Sequence, residues 1–175
     1  EVYGAMVVID AIPLVLDRFP DVRFEMVGEG PQLASCKERA QELGIEKSVT
    51  WLPRRGHERV PQLLANWDLS VLPSHFESFG VAAIESAAMG VPVIASNVGG
   101  LPDSVRDGET GLLVQENAPG ELAEAIMALL ADPERRRRMG EAGIAWANQH
   151  FNWSAAMDQW ELTLQQAADN ARILV

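Results

Sequence analysis

Lysine is almost missing from this chain. Only Lys37 and Lys47 occur among 175 residues, and 25 acidic side chains against 14 lysines and arginines give a net charge of −11. Such a balance argues against general nucleic-acid binding and against a polybasic patch for anionic lipid. Cysteine is scarcer still, with Cys36 alone. A disulfide framework is excluded, and a reducing, cytoplasmic setting is expected. Cys36 has no partner motif and reads as core filler. No apolar run approaches the roughly 20 residues of a bilayer span, so neither a membrane helix nor a signal peptide is expected. Metal signatures are missing too. His57, His75 and His150 show no ligand spacing, "HERVP" lacks the second histidine of H-E-x-x-H, and no D-x-D pair occurs. Of the three histidines, His75 alone falls near a candidate site. The run Arg135 to Arg138 has acids nearby and reads as a solvated helix face.

What is present is a chain that is 47% hydrophobic, long enough for one α/β domain with a real core over residues 1–175. Helical patterns alternate with short β-rich runs. "GAMVVIDAIPLVLDRF" has helical spacing, with a kink expected at Pro13. "VRFEMVG" (22–28), "SVTWLP", "DLSVLPS", "PVIAS" and "GLLV" read as strands. "PQLASCKERAQELG" reads as a helix with Pro31 in its first turn and Gly44 at its end. A further helix is expected from Gly80 to Met89, stopped by Gly90, then the loop "NVGGLPDSV". The last third is helical, ending in a helix over 153–172. Strand alternating with helix predicts a doubly wound parallel sheet. The strands are apolar throughout, as strands covered on both faces are. Ligands of such sheets bind beyond the carboxyl ends of the strands.

Two stretches sit at such ends. "VGEGPQL" supplies Gly28 and Gly30 of a G-x-G-x-x-G turn, but Leu33 stands at the third glycine. A tight strand-to-helix turn explains it better than a dinucleotide site. "LPSHFESFGVAAIESAAMG" leaves a strand and enters a helix near Gly80, where free N–H groups and the helix dipole favour a phosphate. Glu77 and Glu85 flank that entrance. Val81 and Glu85 share one helix face, and helical side chains lean back toward the N-terminus, so Glu85 leans toward the entrance. The two acids suit hydroxyls on both sides of an anionic ligand, as in a nucleotide sugar. Equally, Glu77 can simply complement the dipole and Glu85 can be an exposed helix acid.

The neighbourhood is more specific than either acid. With Glu77 and Glu85 in E-x7-E spacing, the chain resembles the donor-binding, second domain of GT-B retaining glycosyltransferases, family 4 or group 1. "VGEGP", "WLPRRG", "DLSVLPSHFESFGVAAIESAAMGVPVIAS", "VGGLPDSVRDGETGLLV" and "FNW" carry the likeness over nearly the whole chain. The resemblance implies a Rossmann-like half of a GT-B fold, with the acceptor-binding domain outside these residues and the 153–172 helix packing toward it. It implies a nucleoside-diphosphate sugar as co-substrate, with no cofactor and no metal. Glu85 would accept the ribose hydroxyls. Glu77 would act at the transferred sugar, as the catalytic position. Ser78, Phe79, Gly80 and Val81 would hold the distal phosphate or sugar, with Gly28, Pro53 and Arg54 lining the nucleotide side. Gly99 and Gly100 would shape a loop. The implied activity is a retaining hexosyl transfer in polysaccharide or glycolipid synthesis, with a sugar, lipid or other acceptor. Any peripheral membrane contact would come through the missing parts, and this chain alone is expected to bind without turnover. One departure stands out. Tyr3 takes the place of the family's lysine, and the partner arginine would precede Glu1. Arg54, Arg55 and Arg59 are the nearest substitutes. The alternatives are a degenerate, non-catalytic sugar-nucleotide module, favoured by Tyr3, or a GT-B epimerase.

Overall fold

The run "AMVVIDAIPLVL" forms α1 (Ala5–Leu16), which buries Val7, Val8, Ile9, Ala11, Ile12 and Val15. Residues 3–169 are described, in a computed structural model. Pro13 lies inside α1, and the helix continues to Leu16. The strands are β1 (Phe24–Val27), β2 (Val49–Leu52), β3 (Ser70–Leu72), β4 (Val93–Ser96) and β5 (Gly111–Val114). Between and after them come α2 (Leu33–Glu42), a 3₁₀ turn (His57–Arg59) running into α3 (Val60–Leu64), α4 (Val81–Ala88), α5 (Leu101–Ser104), α6 (Pro119–Ala131), α7 (Pro133–His150) and α8 (Trp153–Asp169).

Every strand pairing is parallel, as the strand–helix alternation predicts. The pairings form two ladders: β1 with β2, and β3–β4–β5. The first runs in register from Phe24 opposite Val49 to Val27 opposite Leu52. In the second, Ile94 stands between Val71 and Leu112. Successive side chains of a strand point to opposite faces. Ile94 accordingly packs with Ile9, Ile12, Ala123 and Ile126, the face covered by α1 and α6. Val93 and Ala95 pack with Ala83, Leu101 and Val105, the face covered by α4 and α5. Both faces are thus covered, and α7 packs outside α4. The fold is a mixed α/β one with parallel ladders and helices on both faces, as the resemblance implies.

Several expectations shift in detail. β1 is shorter than the run 22–28, and "NVGGLPDSV" contains α5 rather than only loop. The solvated-face reading holds for Arg137, which bridges Glu134 and Glu141. It fails for Arg136, whose guanidinium donates to the carbonyls of Leu129 and Leu130 at 2.7 and 2.9 Å. That side chain adds hydrogen bonds to carbonyls in the last turn of α6, where intrahelical donors run out. Cys36 is buried, and burial, reinforced by the charge of Asp10, pushes its thiol pKa up. This is the inert core filler expected. Of the 153–172 helix, residues 153–169 are helical, and 170–172 fall outside the described residues. Met157, Trp160, Leu162 and Leu164 are exposed on α8. Among the described residues, no helix is long and apolar enough to cross a membrane.

Candidate functional site

All five strands run the same way within their ladders, so their carboxyl ends present loops in sequence order: Gly28 after β1, Pro53 and Arg54 after β2, residues 73–80 after β3, 97–100 after β4 and Glu116 after β5. The sequence-predicted residues fall on these loops and on the first turns of α4.

The corner between β3 and α4 is built around glycines with no room for a side chain. Gly80 is the N-cap of α4, at φ 80° and ψ 46°. That left-handed geometry suits glycine. A Cβ there would meet the Leu101 side chain at 2.9 Å. Gly99 has φ +51°, and a Cβ on it would overlap the Glu77 carbonyl. Gly100 donates its N–H to that same carbonyl at 2.9 Å, and a Cβ on it would overlap the Ser78 carbonyl. The hydroxyl of Ser104 donates to the Phe79 carbonyl. The loop after β4 thus grips the backbone of residues 77–79. The shape role implied for Gly99 and Gly100 has a direct steric basis.

On this frame the two glutamates are placed differently. The Glu77 carboxylate turns back on its own loop, accepting from the N–H groups of Ser78 at 3.0 Å and Phe79 at 3.4 Å. Two of the amides expected to meet a ligand are therefore directed at Glu77, while Val81 begins the helix with its side chain exposed. Glu85 lies on α4 with a quarter of its side chain exposed, and Oε1 meets His57 Nδ1 at 2.8 Å. His57, which nothing in its local sequence marked, joins the loop after β2 to α4. His75, by contrast, bonds Glu116 through Nδ1 at 3.0 Å, tying the loop after β3 to the one after β5. Its sequence neighbours gave no sign of this partner 41 residues away.

Tyr3 is exposed near the start of α1. Tyr3, Pro73, Ser74 and Glu85 line the same large cleft. Arg55 and Arg59 line a smaller cavity of about 400 Å³, and among the described residues neither is in an ion pair. Gly28 ends β1 at φ +141°, with its N–H donated to Leu52 and open space at its Cα. Pro53 and Arg54 are exposed. Among the described residues, no group of three His, Cys, Asp or Glu side chains is placed to hold a metal ion. The arrangement offers two carboxylate acceptors, a helix entrance and several arginines. It suits a polyhydroxylated anion.

Comparison with known proteins gives a family. The family model described as "Glycosyl transferases group 1" matches residues 1–146. The D-inositol 3-phosphate glycosyltransferase of Corynebacterium glutamicum (strain R) is 37% identical over 176 residues, covering 97% of this chain and 42% of that protein. Its counterpart from Nocardia farcinica is 49% identical over 117 residues, 67% of this chain and 26% of that protein. The chain therefore spans less than half the length of these curated relatives. Among solved structures, Anabaena HepE in complex with UDP and glucose superposes with a TM-score of 0.85 at 29% identity, over 94% of this chain and 45% of that one. Sucrose-phosphate synthase from Thermosynechococcus elongatus gives 0.79 at 34% identity, over 97% and 45%.

Proposed function

The chain belongs to the group 1 glycosyl transferases, and from that premise we propose that it forms the donor half of a retaining hexosyltransferase that uses a nucleoside-diphosphate sugar. The observation that carries this reading is the pair Glu77 and Glu85, at the two ends of one strand-to-helix corner. Glu85 sits within the cleft near Tyr3 and Ser74, where it accepts the two ribose hydroxyls in place of His57. Glu77 lies on the loop held by Gly99, Gly100 and Ser104 and positions hydroxyls of the transferred sugar. The free amides at the start of α4 and the cavity arginines Arg55 and Arg59, with Arg54 beside them, face the diphosphate charge.

In the reaction, an acceptor hydroxyl oxygen bonds to the anomeric carbon as the bond to the diphosphate oxygen breaks on the same face. The acceptor's proton passes to the departing phosphate oxygen. Amides and guanidinium groups stabilise the charge that develops on the diphosphate, so the step calls on neither an enzyme nucleophile nor a metal. The acceptor and the closing of the cleft around the donor belong to the part of the protein outside this chain. The 175-residue chain alone binds donor and does not turn over.

The test is a titration of the full-length protein with UDP-, GDP- and ADP-sugars, followed by the stereochemistry of the product. UDP-sugars come first because the Anabaena relative is in complex with UDP. Saturable binding with retention of configuration is expected, and an inverted product would overturn the retaining assignment. A second reading, a non-catalytic sugar-nucleotide module, is favoured by the uncharged, exposed Tyr3. Binding without transfer by the full-length protein, across a broad acceptor panel, would select it.

A further inference from the structure

α7 packs on the end of α4 through two glycines. A Cβ on Gly140 would overlap the Gly90 carbonyl, and one on Gly143 would meet the Ala87 carbonyl at 3.2 Å. Three residues forward on α7 thus match three residues back toward the start of α4, so the two helices run antiparallel. Continued in that register, Phe151 lies eight residues beyond Gly143, and Phe79 lies eight residues before Ala87. The two rings do meet. Their centroids are 5.8 Å apart and their planes 79° apart, edge to face. The residue that ends α7 therefore reaches the loop that enters α4.

Phe151 is itself held in place. Its N–H donates to the Ala147 carbonyl at 2.9 Å, and its ring stands edge-on to Trp146 at 6.2 Å and 77°. His150 stacks on Trp146 at 3.7 Å, and the Arg106 guanidinium lies 4.8 Å from the centre of a Trp146 ring. The indole N–H is buried with no hydrogen-bond partner among the described residues, so Trp146 acts here through its ring alone. Arg106 comes two residues after Ser104, whose hydroxyl donates to the Phe79 carbonyl. The segment at the end of α5 thus reaches Phe79 twice. It holds the backbone through Ser104, and it holds the ring through Arg106, Trp146 and Phe151 in turn. Edge-to-face pairs fix ring orientation beyond the area they bury. Phe79 is 48% exposed, which leaves its ring free to swing once the Phe151 edge is removed.

We propose that Phe151 is a positioning residue for the donor site. Its ring fixes Phe79, and through Phe79 it fixes the loop that presents Glu77 to the transferred sugar. Phe151 itself touches no part of the ligand. Its effect falls on the sugar end of the donor, because Phe79 lies two residues from Glu77 and one from the Gly80 cap. This role rests on the reading of the chain as the donor half of a transferase.

The test uses the full-length protein with Phe151→Leu, which keeps apolar bulk but removes the ring, and Phe151→Tyr, which keeps the ring. Calorimetry with UDP, GDP and ADP and with their sugar nucleotides reads the two ends of the donor separately. Phe151→Leu should raise Kd for the sugar nucleotide by about two- to tenfold, the value of one edge-to-face pair. Bare nucleotide should bind unchanged, and Phe151→Tyr should restore the wild-type Kd. In a Phe79→Leu background, Phe151→Leu should add nothing further, because two partners of one contact are not additive. Equal loss of bare nucleotide, or additive losses in the double variant, would overturn the positioning role. Hydrogen exchange without ligand separates this outcome from the fate of the transferase reading. The amides of Ser78 and Gly100, which bond the Glu77 carboxylate and carbonyl, should exchange faster in Phe151→Leu while those inside α4 hold. Unchanged exchange would overturn the proposal whatever the protein binds. Faster exchange in a protein that binds none of these sugar nucleotides would support the Phe151–Phe79 brace and overturn the transferase reading instead.

Discussion

β4 and β1 are both four-residue parallel strands, and they could hardly be buried more differently. All four residues of β4 are buried, whereas β1 alternates half-buried Phe24 and Met26 with exposed Glu25 and Val27. β4 has a neighbour on each side and helices on both faces. β1 pairs with β2 alone. The difference divides the candidate site. Glu77, Gly80 and Glu85 stand on the three-stranded ladder, braced by Ser104 and by backbone packing at Gly99. Gly28, Pro53 and Arg54 stand on the two-stranded one. His57 meets Glu85 at 2.8 Å and Trp67 Nε1 donates to Glu25 at 2.7 Å, and one hydrophobic cluster runs from Cys36 and Val49 on the β2 side to Ile94 and Val114 on the β4 side.

The largest expected effect tests the comparison itself. Ile94→Ala, on the central strand of the three-stranded ladder, should lower unfolding stability by about 2–5 kcal/mol. Val27→Ala should change it by less than about 0.5 kcal/mol in the 175-residue chain. Thermal and urea unfolding measure both, and similar losses would erase the contrast. Next in size is the split between the acids. Glu85→Gln should weaken binding of bare UDP or GDP by about 1.5–3 kcal/mol, the value of a hydrogen bond to a charged group, or about 10- to 150-fold in Kd. Glu77→Gln should leave the bare nucleotide alone and impair the sugar nucleotide. Calorimetry of the two variants with and without the sugar decides, and equal losses of bare nucleotide would contradict the assigned roles.

A smaller effect is expected at Ser104→Ala, which removes the hydroxyl bonded to the Phe79 carbonyl. A loss of about 1 kcal/mol should appear as about a fivefold rise in Kd for the sugar nucleotide, with bare nucleotide unchanged. A matching loss for bare nucleotide would show that the brace serves the whole corner. The smallest effect belongs to His57→Ala. The pair between exposed His57 and half-buried Glu85 contributes about 1 kcal/mol, and on the proposed reading it competes with the ribose for the same carboxylate. Removing it should tighten nucleotide binding by up to about fivefold in the same titration. Weaker binding would make His57 a ligand contact instead of a competitor.

Much of this was legible before any coordinates. Short apolar, β-rich runs marked every strand, and helical spacing marked every long helix. Pairs that are close in sequence were also readable: Glu85 follows Val81 by one turn, and Gly80 and Gly90 bracket α4. The E-x7-E neighbourhood carried the family. The partners that fix the site were not readable. His57 reaches Glu85 across 28 positions and Ser104 reaches Phe79 across 25, and no local pattern announces either. Phe79 N–H is expected to face a ligand, yet it points at Glu77, because a side chain two residues away competes for the same donor. Arg136 belonged by composition to a charged surface run, yet it caps α6, because α6 and α7 meet almost without a linker.

By itself the sequence determined the parallel α/β class, the inert Cys36 and the position of the two glutamates at a strand-to-helix corner. These follow from periodicity and from chemistry within a few residues, which the chain carries wherever it goes. Only the tertiary structure decided that the sheet is in two ladders, that the loop after β4 clamps the backbone of Glu77 and Ser78, and that Tyr3 and Glu85 share one cleft. Those facts depend on which strand edges find a neighbour and how closely two backbones approach. Both are set by contacts between residues far apart in the chain, where local spacing carries no information.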